Sequence, residues 1–198
     1  MVEEAINAAE PERPVKALLA AYAAGMLSEP FAVLVASHLQ MTAVDRARQA
    51  YRNEAGQFDL LQLATPGLDE IDSLMPLALR HYASRHLGAL EWRTILPGIE
   101  RCRIEQGARG EASFLRCQPG AAIPWHTHAG LEAVLVLQGA FSDASGRYAA
   151  GDIEVADRSV EHRPVADREG ECIIFLVLEA PVRLTGFFGR LIQRLFGA

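Results

Sequence analysis

The chain has 198 residues, half of them hydrophobic and 22% charged, which is typical of a globular protein with one or two domains. Its formal net charge of −6 and the absence of any Lys/Arg-rich run argue against broad nucleic-acid binding, because such binding depends on neutralising phosphates. No basic stretch followed by an apolar one opens the chain, and no apolar run approaches the roughly 20 residues that span a bilayer, so we expect a cytoplasmic protein without membrane contact.

Residues 1–64 are predicted to form a small helical module. Good helix formers occupy residues 15–24 and end at a glycine, a common helix terminator. Serine, glutamate and proline at 28–30 predict the start of a second, strongly apolar helix, and a third helix is predicted over residues 42–55. Residues 65–89 are interpreted as a linker that contains a helix. Short helices bury little surface by themselves, so the module is expected to need a metal, a partner or a neighbouring domain.

From residue 90 to residue 184 the pattern changes to short alternating or apolar runs separated by turns, which predicts a small β-barrel or sandwich. Residues 185–198 are predicted to form a short amphipathic helix. The cysteines are odd in number and lie in strand-like runs, so they are interpreted as small buried residues and not as a disulfide framework. They are Cys102, Cys117 and Cys172.

Four residues within this β region predict a metal site. His126 and His128 are separated by one residue, so on a strand both side chains point to the same face. Glu132 opens the next apolar run, and His162 follows a further short strand. Three imidazoles and one carboxylate that converge inside a barrel suit a divalent metal such as zinc, iron, nickel or copper.

These spacings resemble the cupin family. Its first motif is Gly, five residues, His-x-His, three or four residues, Glu, six residues and Gly. The five matching positions are Gly120, His126, His128, Glu132 and Gly139. The second motif matches only at its first glycine and its histidine, Gly151 and His162. Its Pro, Gly and Asn positions hold Asp157, Ser159 and Ala166.

The whole chain, from about Leu18 onward, resembles the ChrR family of anti-sigma factors. The resemblance is carried by residues 19–25, 34–39, 135–141 and 151–157 and by the pair at 161–162. It implies an α+β protein in which a helical anti-sigma domain precedes a cupin β-barrel, a double-stranded β-helix. It also implies that residues 1–64 bind an extracytoplasmic-function (ECF) sigma factor, and that His126, His128, Glu132 and His162 bind zinc.

The chain departs from the family at the N-terminal zinc motif. That motif is His, three residues, Cys, two residues and Cys, with a further histidine near the N-terminus. Here His38 occupies the first position, but Thr42 and Asp45 replace the cysteines and no histidine precedes His38. A structural zinc site normally needs four ligands, mostly thiolate or imidazole. We therefore expect no N-terminal zinc, and we interpret His38 as a capping or core residue.

Three functions remain open at this stage. The first is a regulator whose helices bind a sigma factor and whose metal-binding barrel senses a signal. The second is a cupin metalloenzyme, either a dioxygenase or an isomerase, with iron, manganese, nickel or copper as alternatives to the favoured zinc. The third is a small-molecule-binding module whose helices serve for dimerisation, and a homodimer is an option under each function. Trp125, beside His126, is interpreted as a buried aromatic prop in preference to a residue that lines the cavity mouth. The acids near His162 are interpreted as surface charges as readily as a general acid or base; they are Glu154, Asp157 and Glu161.

Overall fold

The computed structural model describes residues 12–55, 75–86, 91–107 and 110–185, and within them three helices precede twelve strands. This confirms the predicted α+β class. The helices are α1 (Glu12–Ala23), α2 (Glu29–Ala55) and α3 (Leu77–His86). The strands are β1 (Trp92–Leu96), β2 (Ile99–Gly107), β3 (Gly110–Cys117), β4 (His126–Thr127), β5 (Glu132–Gln138), β6 (Ala140–Ser142), β7 (Arg147–Ala149), β8 (Ile153–Ala156), β9 (Glu161–His162), β10 (Val165–Ala166), β11 (Cys172–Leu178) and β12 (Arg183–Leu184). The predicted C-terminal helix falls almost entirely outside the described residues.

Helix α2 is longer than the sequence predicted, because it continues through residue 42 without a break. The prediction of a separate third helix over 42–55 is therefore wrong. The hydroxyl of Thr42, where that helix was predicted to begin, donates to the carbonyl oxygens of His38 at 3.0 Å and Leu39 at 3.2 Å in the preceding turn. Among the residues that the structure describes, no helix is long and apolar enough to cross a membrane.

The strands form a barrel in which a six-stranded sheet of order β1-β2-β3-β11-β5-β8 lies against two smaller sheets, β10-β6-β7 and β12-β4-β9. All paired strands are antiparallel. Strand β11 is the apolar run 172–178 and pairs on both sides, with β3 and with β5. Apolar residues of the large sheet share one cluster with Phe141 of β6 and Ala166 of β10, and this cluster fills part of the barrel interior.

The outer face of the six-stranded sheet is covered by the helices. Because side chains alternate along a strand, β5 sends Val134 and Val136 into the barrel and Leu135 toward the helices. Helix α1 packs on β8, α2 on β5 and β11, and α3 on α2 and β2. The fully buried Leu34 of α2 and Leu79 of α3 belong to the same apolar cluster as that outer sheet face. The helices therefore bury their apolar faces on the barrel.

Gly139, the last position of the first motif, has a structural reason to be glycine. It links β5 to β6 with a φ of +69°. A Cβ added there would lie 2.2 Å from the carbonyl oxygen of Glu171, so any side chain would collide with backbone.

Candidate metal centre

The pairing of short strands brings the predicted ligands together. In the β12-β4-β9 sheet, His126 lies directly opposite His162. His128 follows one residue after the end of β4, so the predicted strand is shorter than expected but both side chains still point inward. Glu132 is the first residue of β5 and lies on the interior side, as Val134 does. All four side chains are buried, with 1–5% of their residue surface exposed.

The ligand atoms of these residues face one another. The Nε2 atoms of His126 and His162 are 3.0 Å apart. The Glu132 carboxylate lies 3.4 Å from Nε2 of His128, 3.7 Å from Nε2 of His162 and 4.0 Å from Nε2 of His126. One carboxylate and three ring nitrogens therefore surround a single point.

Each imidazole is held by a hydrogen bond from its other nitrogen. Nδ1–H of His126 donates to the carbonyl oxygen of Pro124 at 2.9 Å. Nδ1–H of His128 donates to the carbonyl oxygen of Asp157 at 3.2 Å. Since a carbonyl oxygen only accepts, these bonds place the proton on Nδ1 and leave Nε2 free to act as a ligand. This is the arrangement in which outer partners orient metal-binding histidines.

Two carboxylates that were not predicted to belong to the site hold the third imidazole. Nδ1 of His162 lies 2.9 Å from Oδ2 of Asp143 and 3.0 Å from Oε1 of Glu154. Glu154 is only 5% exposed, so its interpretation as a surface charge is wrong. One signal was available in the sequence: Glu154 lies within the apolar strand β8, and its side chain points to the face opposite Ile153 and Val155. Asp143 carried no such signal, because it lies in the turn between β6 and β7.

Electrostatics in the cluster favour charged imidazoles as long as no metal is bound. Burial raises the pKa of Glu132, but the imidazoles of His126, His128 and His162 beside its carboxylate outweigh burial and hold that pKa well below its usual range. Burial lowers the pKa of His162, but Glu132 and Glu154 outweigh it and raise that pKa to about 10. The pKa of His128 is also raised, since its contact with Glu132 outweighs burial. A metal ion must displace these protons, because only neutral imidazoles bind it.

The residues present fit a metal ion. Zinc–nitrogen bonds of 2.0–2.1 Å give a tetrahedron whose ligand atoms are about 3.3 Å apart. The His126–His162 distance and the three distances from Glu132, 3.0–4.0 Å, bracket that value, and all four ligand atoms lie within 4.8 Å of one another. Nε2 of His128 is buried, and the Glu132 carboxylate lies 3.4 Å from it, farther than in a well-formed hydrogen bond, so this nitrogen remains available to a metal ion. The buried group of three histidines and one glutamate could therefore hold a metal ion.

A cavity of about 340 Å³ adjoins the cluster inside the barrel. His126, Glu132 and Glu154 contribute to its wall, and most of the remaining lining is apolar. Cys117 and Cys172 lie opposite each other on β3 and β11 and also line it. All three cysteines are free and buried, as predicted. Trp125 is 49% exposed, so its interpretation as a buried prop is wrong.

His38 lies away from this cluster. Its Nδ1 is 2.7 Å from the carbonyl oxygen of Gly151, so the side chain links α2 to the turn before β8. This position agrees with the interpretation of His38 as a capping or core residue. The side chain of Asp45 lies outside what the structure describes.

The chain is similar to known proteins over most of its length. A family model described as the ChrR Cupin-like domain matches residues 81–181. The chain is 37% identical to the anti-sigma-E factor ChrR of Cereibacter sphaeroides over 91% of this chain and 95% of that protein. It also matches a chain of the crystal structure of Rhodobacter sphaeroides SigE in complex with the anti-sigma ChrR, with 38% identity and a TM-score of 0.60 over 82% of this chain and 95% of that one. The protein belongs to the ChrR family of anti-sigma factors.

Proposed function

We propose that this protein is an anti-sigma regulator in which residues 1–64 bind an ECF sigma factor and the barrel controls its release. The observation that carries the proposal is the similarity to a ChrR chain crystallised with SigE, which spans helices and barrel alike. The proposal places the protein in the cytoplasm, where sigma factors act on RNA polymerase. Pairing of two copies remains a prediction that light scattering can test.

The proposed metal ligands are His126, His128, Glu132 and His162, with one ion per chain. Zinc is the favoured metal, because four protein ligands complete its tetrahedron, as in structural zinc sites. When bound, such an ion supplies cross-linking of the strands that carry its ligands. Iron, manganese, nickel and copper are the alternatives.

A structural route connects this site to the helices. Strand β5 begins with Glu132 on its interior face and carries Leu135 on the face that packs against the helices. Strand β8 does the same with Glu154 inside and Ile153 outside. Because both strands serve the site and the helix contact, a change at the site that moves either strand also moves the surface on which the helices rest.

The proposal is tested by measuring binding of the full chain to purified ECF sigma factors from the same genome. A sigma factor that binds at submicromolar concentration, and whose affinity changes when the metal is removed by a chelator, supports the regulator. Absence of binding by every such factor at micromolar concentrations refutes it. Tight binding that is insensitive to the metal would keep the anti-sigma role and remove the sensing role from the barrel.

A second candidate function is a cupin metalloenzyme, either a dioxygenase or an isomerase. The observation that favours it is the cavity beside His126 and Glu132, which offers room for a substrate next to the proposed metal. Elemental analysis of the purified protein separates the two candidates. One equivalent of zinc favours the regulator, and one equivalent of iron, manganese or copper favours the enzyme.

A further inference from the structure

The barrel cavity has walls that suit an apolar ligand. Away from the histidine cluster it is lined mainly by aliphatic and aromatic side chains, including Leu115, Phe141, Ile174 and Leu176. At about 30 Å³ for each water-sized group, its volume of about 340 Å³ accommodates about eleven non-hydrogen atoms. That size lies within the range of small-molecule pockets. An apolar cavity offers water few hydrogen bonds, so an apolar ligand gains by replacing it.

The charged side chains that line the cavity already have partners. Nη1 of Arg101 lies 3.2 Å from Oε1 of Glu111. Glu132 is surrounded by the three imidazoles, and Glu154 accepts from Nδ1 of His162. A charged ligand would therefore lose its hydration on entering the cavity, and no described lining residue offers it an unpaired opposite charge. Burial of such a charge is strongly unfavourable, whereas a neutral molecule incurs no comparable cost.

We propose that the cavity of the barrel binds a neutral, mainly apolar small molecule of about eleven non-hydrogen atoms. Selectivity arises from the apolar wall and from the absence of a free counter-charge among the described residues that line the cavity. This proposal names the ligand class of the cavity on which the second candidate function rests. Its test is separate from both candidate functions, because binding is measured on this chain alone and needs neither a sigma factor nor turnover.

The test is calorimetric titration of the full-length, metal-loaded protein with three molecules of equal chain length: 1-decanol, decanoate and decylammonium. We expect saturable binding of decanol, at least tenfold tighter than binding of either ion. Because burial of apolar surface can have an enthalpy near zero at one temperature, the titration is repeated about 20 °C higher. No heat from decanol up to its solubility limit at both temperatures, or equal affinity for decanoate, overturns the proposal.

Two substitutions at one position locate the ligand. Leu115 is 3% exposed and lines the cavity, so Leu115→Trp fills the space and should weaken decanol binding at least tenfold. Leu77→Trp is the matched control, because Leu77 is 71% exposed on α3, and it should leave binding unchanged. Leu115→Ala enlarges the cavity and should shift the preferred alcohol from decanol to dodecanol. This second variant keeps the test valid if the bulky tryptophan of the first variant disturbs folding. Unchanged affinity and chain-length preference in both Leu115 variants would place any bound decanol outside the cavity and overturn the proposal.

Discussion

The contact between Asp143 and His162 should determine how tightly the proposed metal is held, and Asp143→Asn tests this. Oδ2 of Asp143 accepts from Nδ1 of His162 at 2.9 Å. Oδ1 accepts from the backbone N–H groups of Ser145 at 2.7 Å and Gly146 at 3.2 Å, which closes the turn between β6 and β7. An asparagine has only one oxygen, so it can serve the turn or the imidazole but not both. The amide NH₂ would then face an N–H group.

The expected magnitude follows from the role of the lost partner. Loss of an outer partner of a metal-binding histidine typically lowers metal affinity 10- to 100-fold, or about 1.4–2.7 kcal/mol. Glu154→Gln is the matched control. Oε1 of Glu154 lies 3.0 Å from the same Nδ1, and Oε2 has no hydrogen-bond partner among the described residues. The glutamine can therefore keep its oxygen on His162. It removes only a charge, and that charge is weakly held in the metal-free protein because burial raises the pKa of Glu154 to about 7, so the effect should stay below about tenfold.

Zinc affinity is measured by competition with a chromogenic chelator at pH 7.5, and the unfolding midpoint of the metal-free protein shows whether a variant merely damages the fold. We expect the order wild type, Glu154→Gln, Asp143→Asn from tightest to weakest. An Asp143→Asn affinity within twofold of wild type, or a larger loss in Glu154→Gln, would refute this account of how His162 is oriented.

Three further predictions concern the fold and the protons of the site. Gly139→Ala should lower the free energy of unfolding, measured by urea denaturation, far more than Gly25→Ala does. Both glycines have a positive φ, but only at Gly139 would the added Cβ collide with backbone. Gly25→Ala should therefore cost only about 1–2 kcal/mol. Leu34→Ala should lower the free energy of unfolding by about 3–5 kcal/mol. The unfolding transitions followed by helix circular dichroism and by barrel tryptophan fluorescence should shift together, because Leu34 belongs to the cluster shared by helices and sheet. Separate transitions would contradict this. Zinc uptake at pH 7.5 should release at least about one proton, because Glu132 and Glu154 raise the pKa of His162 to about 10 in the metal-free protein, and the raised pKa of His128 adds to this release. The release is measured by calorimetry in buffers of different ionisation enthalpy. In the metal-free protein the raised pKa of His162 stabilises the folded state fully below the unfolded pKa of about 6.5. This stabilisation is lost as the pH rises toward 10, where His162 loses its proton. The number of protons released on zinc uptake should fall over the same range, so a number that does not change between about pH 6 and pH 10 would contradict the assignment.

The candidate ligands and most strands could be predicted because their signals are local. His126 and His128 share a face through the two-residue period of a strand, and Glu132 begins an apolar run of the same parity. The glycine at 139 is likewise tied to one tight turn. Such patterns depend on covalent geometry and side-chain burial within a single element, which a linear sequence displays directly.

The outer partners and the place of the helices were decided only by tertiary structure. Asp143 reaches His162 across 19 residues and His38 reaches Gly151 across 113, through strand pairings and packing that no local period encodes. The sequence around Glu154 is compatible with a surface charge. Only closure of the barrel makes the face of β8 that carries Glu154 an interior face. Helix α2 rests on the sheet through Phe31, Leu34 and Val35, contacts that only the tertiary fold provides. It continues past Thr42 because the Thr42 hydroxyl bonds to carbonyl oxygens of the preceding turn and the low helix propensity of threonine costs too little to end a helix.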